Sequence, residues 1–258
     1  MDYITSAKNP IVRQLRGLRE RRGRQESGRF LVEGEVMLRE ALKCGLRARD
    51  VLAEEAYLPL AGELEAAGAR CFVVPRSLLE AVSDTRTPQG VCASFDLPAP
   101  LPLDKIPRRV VALDGVQDPG NVGTIWRTAD AAGFQGLLLG AGCADPLSPK
   151  VQRSAMGSGF RLPFTQTDDL PAALAGLRNR GWTVIASDLH GRDFYSHPDP
   201  GDRFVLVIGS EAHGISDATR AAANMLLKLP MRGGAESLNA AVAAGIMMYE
   251  LTKRDPLG

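Results

Sequence analysis

The side chains of this sequence best suited to chemistry lie in three short loops. The first runs from Asp118-Pro119-Gly120 to Asn121, with Arg127 six residues on. The second is Gly209-Ser-Glu211-Ala-His213-Gly214, and the third is Leu229-Pro-Met231 followed by Ser237-Leu-Asn239. Together they hold amides, a carboxylate, a hydroxyl and a guanidinium, more polar chemistry than folding requires. Around Asn121 the order of strand, Gly/Pro loop and helix N-terminus makes a natural anion site, at the strand ends where open α/β sheets keep their ligands. No G-x-G-x-x-G joins a strand to a helix, and neither G-x-x-x-x-G-K-[ST] nor G-x-S-x-G occurs. Nicotinamide dehydrogenase, P-loop and hydrolase-elbow chemistry are therefore poorly supported.

The elements that must position these loops are legible around them. Val110–Leu113 is a short apolar run, as expected of a strand buried on both faces. Asp118-Pro119-Gly120 forces a turn, since Pro fixes φ and Gly tolerates positive φ, and Asn121 is expected to cap the helix that follows. Val122, Ile125, Trp126, Ala129 and Ala132 repeat at helical spacing and leave Arg127 off the apolar stripe. Strands at 136–140, 183–187, 204–208 and 226–229 alternate with helices near 149–157, 169–180, 216–223 and 237–252. That alternation predicts an α/β fold with a mostly parallel sheet. Upstream, residues 30–94 read as a smaller α/β unit, and Leu97-Pro-Ala-Pro-Leu-Pro102 reads as a linker. The expected organisation is an N-terminal domain at 1–96, a linker at 97–107 and a second domain at 108–258.

Composition bounds the class. With 258 residues, 45% hydrophobic and 24% charged, the chain reads as a globular protein of one large domain or two ordinary ones. Cys44, Cys71, Cys92 and Cys143 show no CxxC spacing and there are three histidines, so no metal site is expected and reduced cytosolic thiols are. No apolar run has the length of a membrane span and the N-terminus lacks a signal-peptide core, which predicts a cytoplasmic protein. The net charge of +1 hides a basic segment: residues 1–29 carry Lys8, Arg13, Arg16, Arg19, Arg21, Arg22, Arg24 and Arg29 against Asp2, Glu20 and Glu26. This is either a solvated helix-like face or a surface for a polyanion.

Asn121-Val-Gly-Thr-Ile-Trp-Arg127, Leu206-Val-Ile-Gly-Ser-Glu-Ala-His-Gly214, and Leu229-Pro-Met231 with Ser237-Leu-Asn239-Ala-Ala-Val242 resemble, in this order, the three motifs of the SpoU (TrmH-like) family. These are RNA ribose 2′-O-methyltransferases of the SPOUT superfamily. Ser148-Pro-Lys150-Val-Gln-Arg153-Ser-Ala-Met-Gly157 is also similar to the family, and Ile4–Pro10 and Gly28–Gly34 look like its small RNA-binding domain. The resemblance covers nearly the whole chain.

It implies S-adenosylmethionine as cofactor, a C-terminal trefoil knot in a SPOUT-like sheet, and a preceding small α/β domain of the L30e-like kind. Gly209, Leu229, Met231 and Leu238 match the positions that line the cofactor pocket. Asn121, Arg127, Glu211, Ser237 and Asn239 match the catalytic positions. A guanidinium rarely gives up a proton, so Arg127 is read as a clamp on the substrate phosphate that stabilises the developing alkoxide. Asn121 would cap its helix and orient Arg127. Glu211 would orient Arg127 or Asn239, against the alternative of a solvated loop carboxylate. Ser237 and Asn239 would open the last helix and hold ribose, phosphate or the methionine end of the cofactor. Arg29, Lys150 and Arg153 would touch RNA, while His213 is not retained as a base. The partner is RNA, ribosomal favoured over transfer RNA, and a homodimer is implied; the small apolar helix 237–252 would be covered either by the knot or by the second copy. The competing reading is a non-catalytic RNA-binding or assembly factor that keeps the fold.

Overall fold

The structure, a computed structural model, describes residues 1–253. These form two compact units, Met1–Ala99 with Asp145–Phe160, and Pro100–Ala144 with the residues from Arg161 on. The chain leaves the first unit inside the proline-rich segment expected as a linker. The division differs from the expected span 108–258 at Asp145–Phe160, which packs with the first unit. Its reasons are local: Asp145 Oδ2 accepts from Arg24 Nη2 at 2.7 Å, and the Phe160 ring lies 6.4 Å from that of Phe30.

The first unit runs β1 (Asp2–Tyr3), α1 (Pro10–Gly17), α2 (Arg21–Ser27), β2 (Arg29–Glu33), α3 (Glu35–Lys43), β3 (Ala48–Ala53), α4 (Leu58–Ala66), β4 (Arg70–Val73), α5 (Arg76–Val82) and β5 (Val91–Asp96). The sheet order is β1-β4-β3-β5-β2, with β5 antiparallel to both neighbours. Helix α1 starts because Asn9 accepts from the Ile11 amide at 2.9 Å and Pro10 needs no partner for its nitrogen. Its Val12 and Leu15, with Leu18, join Ile4, Leu78, Leu79 and Val82 in one core. One of the eight basic residues counted above as surface charge is not at the surface. Arg24 is buried and donates to Leu18 O at 2.7 Å, to Arg19 O at 2.8 Å and to Asp145. The carbonyls left open where α1 ends draw the guanidinium inward.

The second unit runs β6 (Arg109–Asp114), α6 (Pro119–Ala131) and β7 (Gly136–Leu139). Beyond the segment that belongs to the first unit, which carries α7 (Pro149–Ala155) and most of α8 (Ser158–Arg161), come β8 (Phe164–Gln166), α9 (Leu170–Asn179), β9 (Thr183–Asp193), β10 (Phe204–Gly209), α10 (Asp217–Ala222), β11 (Met225–Lys228) and α11 (Ala240–Thr252). The sheet order is β11-β9-β10-β6-β7-β8, and every pairing is parallel. Val110, Val111, Ala112 and Leu113 are fully buried, as an apolar run with helices on both faces requires. After β6 the chain continues to β7 on one side and later returns to β10 on the other. Their C-terminal loops diverge there and leave the crevice in which such sheets bind ligands.

Strand β9 is longer than the expected 183–187, and its pairing explains why. Leu226 of β11 pairs with Ala186, but the next residue, Leu227, pairs with Arg192. The residues between, Ser187–Gly191, bulge out of the ladder. The bulge returns at Gly191, where an added Cβ would lie 2.5 Å from the Leu226 carbonyl carbon, so only glycine fits.

Candidate active site

Helix α6 begins three residues earlier than its apolar stripe suggests. Pro119 occupies its first turn and Asp118 is the cap, accepting from the Asn121 amide at 2.8 Å. Asn121 therefore does not cap the helix. Asp118 can satisfy the open amides, which leaves the Asn121 carboxamide free to bond elsewhere.

That carboxamide joins the three loops. Asn239 caps α11, its Oδ1 accepting from the amides of Ala241 at 2.9 Å and Val242 at 3.2 Å. This fixes Asn239 Nδ2 as the free end, and it donates to Asn121 Oδ1 at 3.0 Å. Asn121 Nδ2 then donates to Glu211 Oε1. Each amide orientation follows from the previous one, and the chain ends on the Glu211 carboxyl, whose Oε1 accepts. Ser237 is not the cap of the last helix, which starts at Ala240. Glu211 contacts Asn121 rather than Arg127 or Asn239. The two capped helices also pack together, since a methyl on Gly245 of α11 would meet Thr128 of α6 at 3.5 Å.

Beside this chain lies a cavity of about 290 Å³. Gly209, Glu211, Leu229, Met231, Ser237 and Leu238 line it, as do Asp188, His190 and Arg220. Gly209 is required for a different reason than close approach of a ligand. A Cβ there would sit 2.1 Å from the Gly214 carbonyl carbon, because the loop folds back on itself through paired bonds of 3.0 and 2.9 Å between Ser210 and Gly214. Ser216, which caps α10, is tied to β6 by its amide, donating to Asp114 Oδ2 at 2.8 Å.

Asp188 and Arg220 were not expected from the sequence. The bulge carries Asp188 into the cavity wall, where its side chain is 2% exposed. Oδ1 accepts from the His190 amide at 2.7 Å, while Oδ2 is ion-paired with Arg220 yet receives no hydrogen bond. The signal available was an acidic residue directly after the apolar run Thr183–Ser187.

Arg127 is exposed on α6, is not among the residues that line the cavity, and makes no hydrogen bond or ion pair among the described residues. The residues expected to touch RNA differ from it. Arg29 donates to the fully buried Asp50 at 2.7 Å, and Arg153 donates to Asp84 at 2.5 and 3.0 Å. A phosphate would have to displace a carboxylate from either one. Lys150 is exposed and has no side-chain partner among the described residues. Near the end of β6, burial pushes the Cys143 thiol above its ordinary value, which argues against a nucleophilic role. Among the described residues no group of three His, Cys, Asp or Glu could hold a metal ion.

Comparison with known proteins places these loops in context. Residues 108–249 match the SpoU rRNA Methylase family and residues 9–93 match the MRM3-like substrate binding domain. Over 97% of its length the chain is 37% identical to the 23S rRNA (guanosine(2553)-2′-O)-methyltransferase RlmP of Bacillus subtilis, covering 99% of that protein. It is similar to the AdoMet-bound rRNA methyltransferase from Sinorhizobium meliloti, with a TM-score of 0.88 and 31% identity over 99% of each chain. The SpoU methyltransferase AviRb from Streptomyces viridochromogenes, in complex with AdoMet, gives a TM-score of 0.84 at 31% identity, over 96% of this chain and 98% of that one.

Proposed function

This chain belongs to the SpoU rRNA methylase family, and from that premise we propose that it transfers a methyl group from S-adenosylmethionine to a ribose 2′-hydroxyl of ribosomal RNA. The observation that carries this reading is the chain Asn239–Asn121–Glu211, which ties three motif loops together beside a cavity. RlmP and the Sinorhizobium meliloti protein, which match over nearly the whole length, are described as rRNA methyltransferases, which favours ribosomal over transfer RNA.

The cavity suits the donor. Leu229, Met231 and Leu238 offer apolar walls, and the Asp188–Arg220 ion pair adds polar groups of both signs to the lining, suited to a ligand with an apolar body and polar ends. When bound, the donor supplies a methyl group on a positively charged sulfur, already activated toward an oxygen nucleophile. The protein's task is to hold and align the ribose. Arg127, exposed and unpaired, fits a bidentate clamp on the phosphate beside that ribose. Asn121, Glu211 and Asn239 keep the loops in register around it, and Ser237 offers a hydroxyl at the cavity wall. Lys150 is free to meet the RNA backbone, whereas Arg29 and Arg153 serve as tethers inside the first unit.

We assign the first unit as the RNA-binding domain, of L30e-like type, and a trefoil knot to the C-terminal part of the second. A homodimer also belongs to this reading. Val242, Ile246 and Tyr249 of α11 are exposed, at 51%, 37% and 54%, more apolar surface than a helix facing water usually carries. Free thiols at all four cysteines suit a cytoplasmic enzyme, and among the described residues no helix is long and apolar enough to cross a membrane.

Incubation of the purified protein with methyl-labelled donor and 23S rRNA tests the proposal. Label recovered in nuclease-resistant dinucleotides is the expected result. Label on a base, or none with any RNA, refutes it.

A further inference from the structure

We propose that the exposed guanidiniums of the α1–α2 hairpin, Arg13, Arg16 and Arg21, form with Lys8 and the half-exposed Arg19 a rigid ridge that binds the phosphate backbone of the RNA substrate. The inference rests on the RNA reading above and adds the surface by which the first unit engages that RNA.

Helix α1 is sharply two-sided. Val12 and Leu15 are buried in the core, while Arg13 and Arg16 are exposed on the opposite side. Three residues apart, these two arginines are neighbours on the helix surface. None of the five cations has a side-chain hydrogen bond or ion pair among the described residues, and the exposed Glu20 in the intervening turn pairs with none of them. Elsewhere in the same unit charge is largely matched: Arg29, Arg39, Arg49, Arg70 and Arg153 each sit against a carboxylate. Among the described residues, five cations without partners thus lie on or beside one hairpin, while Arg47, Arg86 and Lys150, the others in this unit, lie singly on separate segments.

That hairpin is stiff. A Cβ on Gly23 would lie 2.1 Å from Gly17 O, so α2 starts in backbone contact with the end of α1. Arg24 locks the corner from inside through Leu18 O, Arg19 O and Asp145. It also occupies carbonyls whose partial negative charge would otherwise lie beside Arg16 and Arg19. A fixed row of arginines without internal acceptors suits phosphates, which the guanidinium binds as a two-pronged donor. Because phosphates are met one by one, each contact released should appear in the salt dependence of binding.

The test compares the full-length protein with Arg13→Ala/Arg16→Ala/Arg21→Ala and with Arg13→Lys/Arg16→Lys/Arg21→Lys. Binding of transcribed 23S rRNA is measured from about 0.05 to about 0.3 M KCl. Thermal unfolding and calorimetric binding of S-adenosylmethionine verify that the alanine variant is folded. It should bind RNA about 10- to 100-fold more weakly at low salt, with a log K against log[KCl] slope shallower by about 2. KM for RNA should rise by a similar factor while kcat stays within about twofold. The lysine variant, with charge kept and the fork lost, should retain the slope. An alanine variant equal to wild type in affinity and slope overturns the ridge and leaves the methyltransferase reading intact. Should the alanine variant not fold, a lysine variant whose slope falls would overturn it too. Wild type that binds no RNA at any salt overturns the RNA reading itself.

Discussion

Asn239 Nδ2 donates to Asn121 Oδ1 across 3.0 Å, so two residues separated by more than a hundred positions share one hydrogen bond at the start of two packed helices. Because Asn239 Oδ1 is committed to the amides of α11, the bond has only one sense, and Asn121 must present its nitrogen to Glu211.

Reversing that polarity at one residue should therefore fail, and reversing it at two should succeed. Asn121→Asp places a second carboxylate against Glu211 and is expected to lower kcat for RNA methylation by about 10- to 100-fold, the scale of a charge-assisted hydrogen bond. Adding Glu211→Gln restores a donor opposite the new carboxylate and should recover activity to within about tenfold of wild type. Independent, additive losses in the double variant would show that the contact does not matter.

Arg127 offers a contrasting case. Exposed and unpaired, it contributes nothing visible to the fold, so Arg127→Lys should change stability by no more than about 0.5 kcal/mol. Its kcat/KM on RNA should nevertheless fall by about 10- to 100-fold, because an ammonium cannot grip a phosphate with two parallel bonds. Near-normal turnover in steady-state assays would remove the clamp from the mechanism.

Gly209 joins stability to binding. Its absent Cβ leaves room for the Gly214 backbone at 2.1 Å, and backbone yields less readily than a flexible side chain. Gly209→Ala should cost about 1–3 kcal/mol in urea unfolding. It should also weaken donor binding in calorimetry, since the displaced loop lines the cavity. A variant with wild-type affinity would mean that the loop closes without this contact.

The buried thiols predict a pH dependence. Burial, aided by the charge of Glu65, pushes Cys71 up to about 11, whereas an unfolded thiol titrates near about 8.5. Between those values the unfolded chain has lost its proton and the folded chain has kept it, so stability falls as pH rises through this window. Denaturation at a series of alkaline pH values should show a shallower decline in Cys71→Ala than in wild type. Equal slopes would assign the decline to other groups.

Much of this was legible in the chain, for identifiable reasons. The strand Val110–Leu113 and the helix after it follow from apolar runs and periodicity, which burial enforces directly. The three loops could be picked out because Gly, Pro and unpaired polar residues cluster between such runs. Which residue caps which helix was not legible: Asp118 and Asn121 are both good caps, and the choice depends on Glu211 and Asn239 being near enough to use the second one. The same holds for Arg24, whose burial depends on carbonyls presented by a corner and on Asp145 far along the chain. Asp188 was missed because a strand that pairs again after a five-residue detour leaves no periodic trace.

The detached position of Asn239 carries a consequence for how the protein is made. The parallel sheet is complete at Lys228, yet the residue that orients Asn121 arrives only with the helix beyond it. A nascent chain could fold its whole central sheet on the ribosome and still be unable to align a ribose, so activity would switch on only after those later residues emerge.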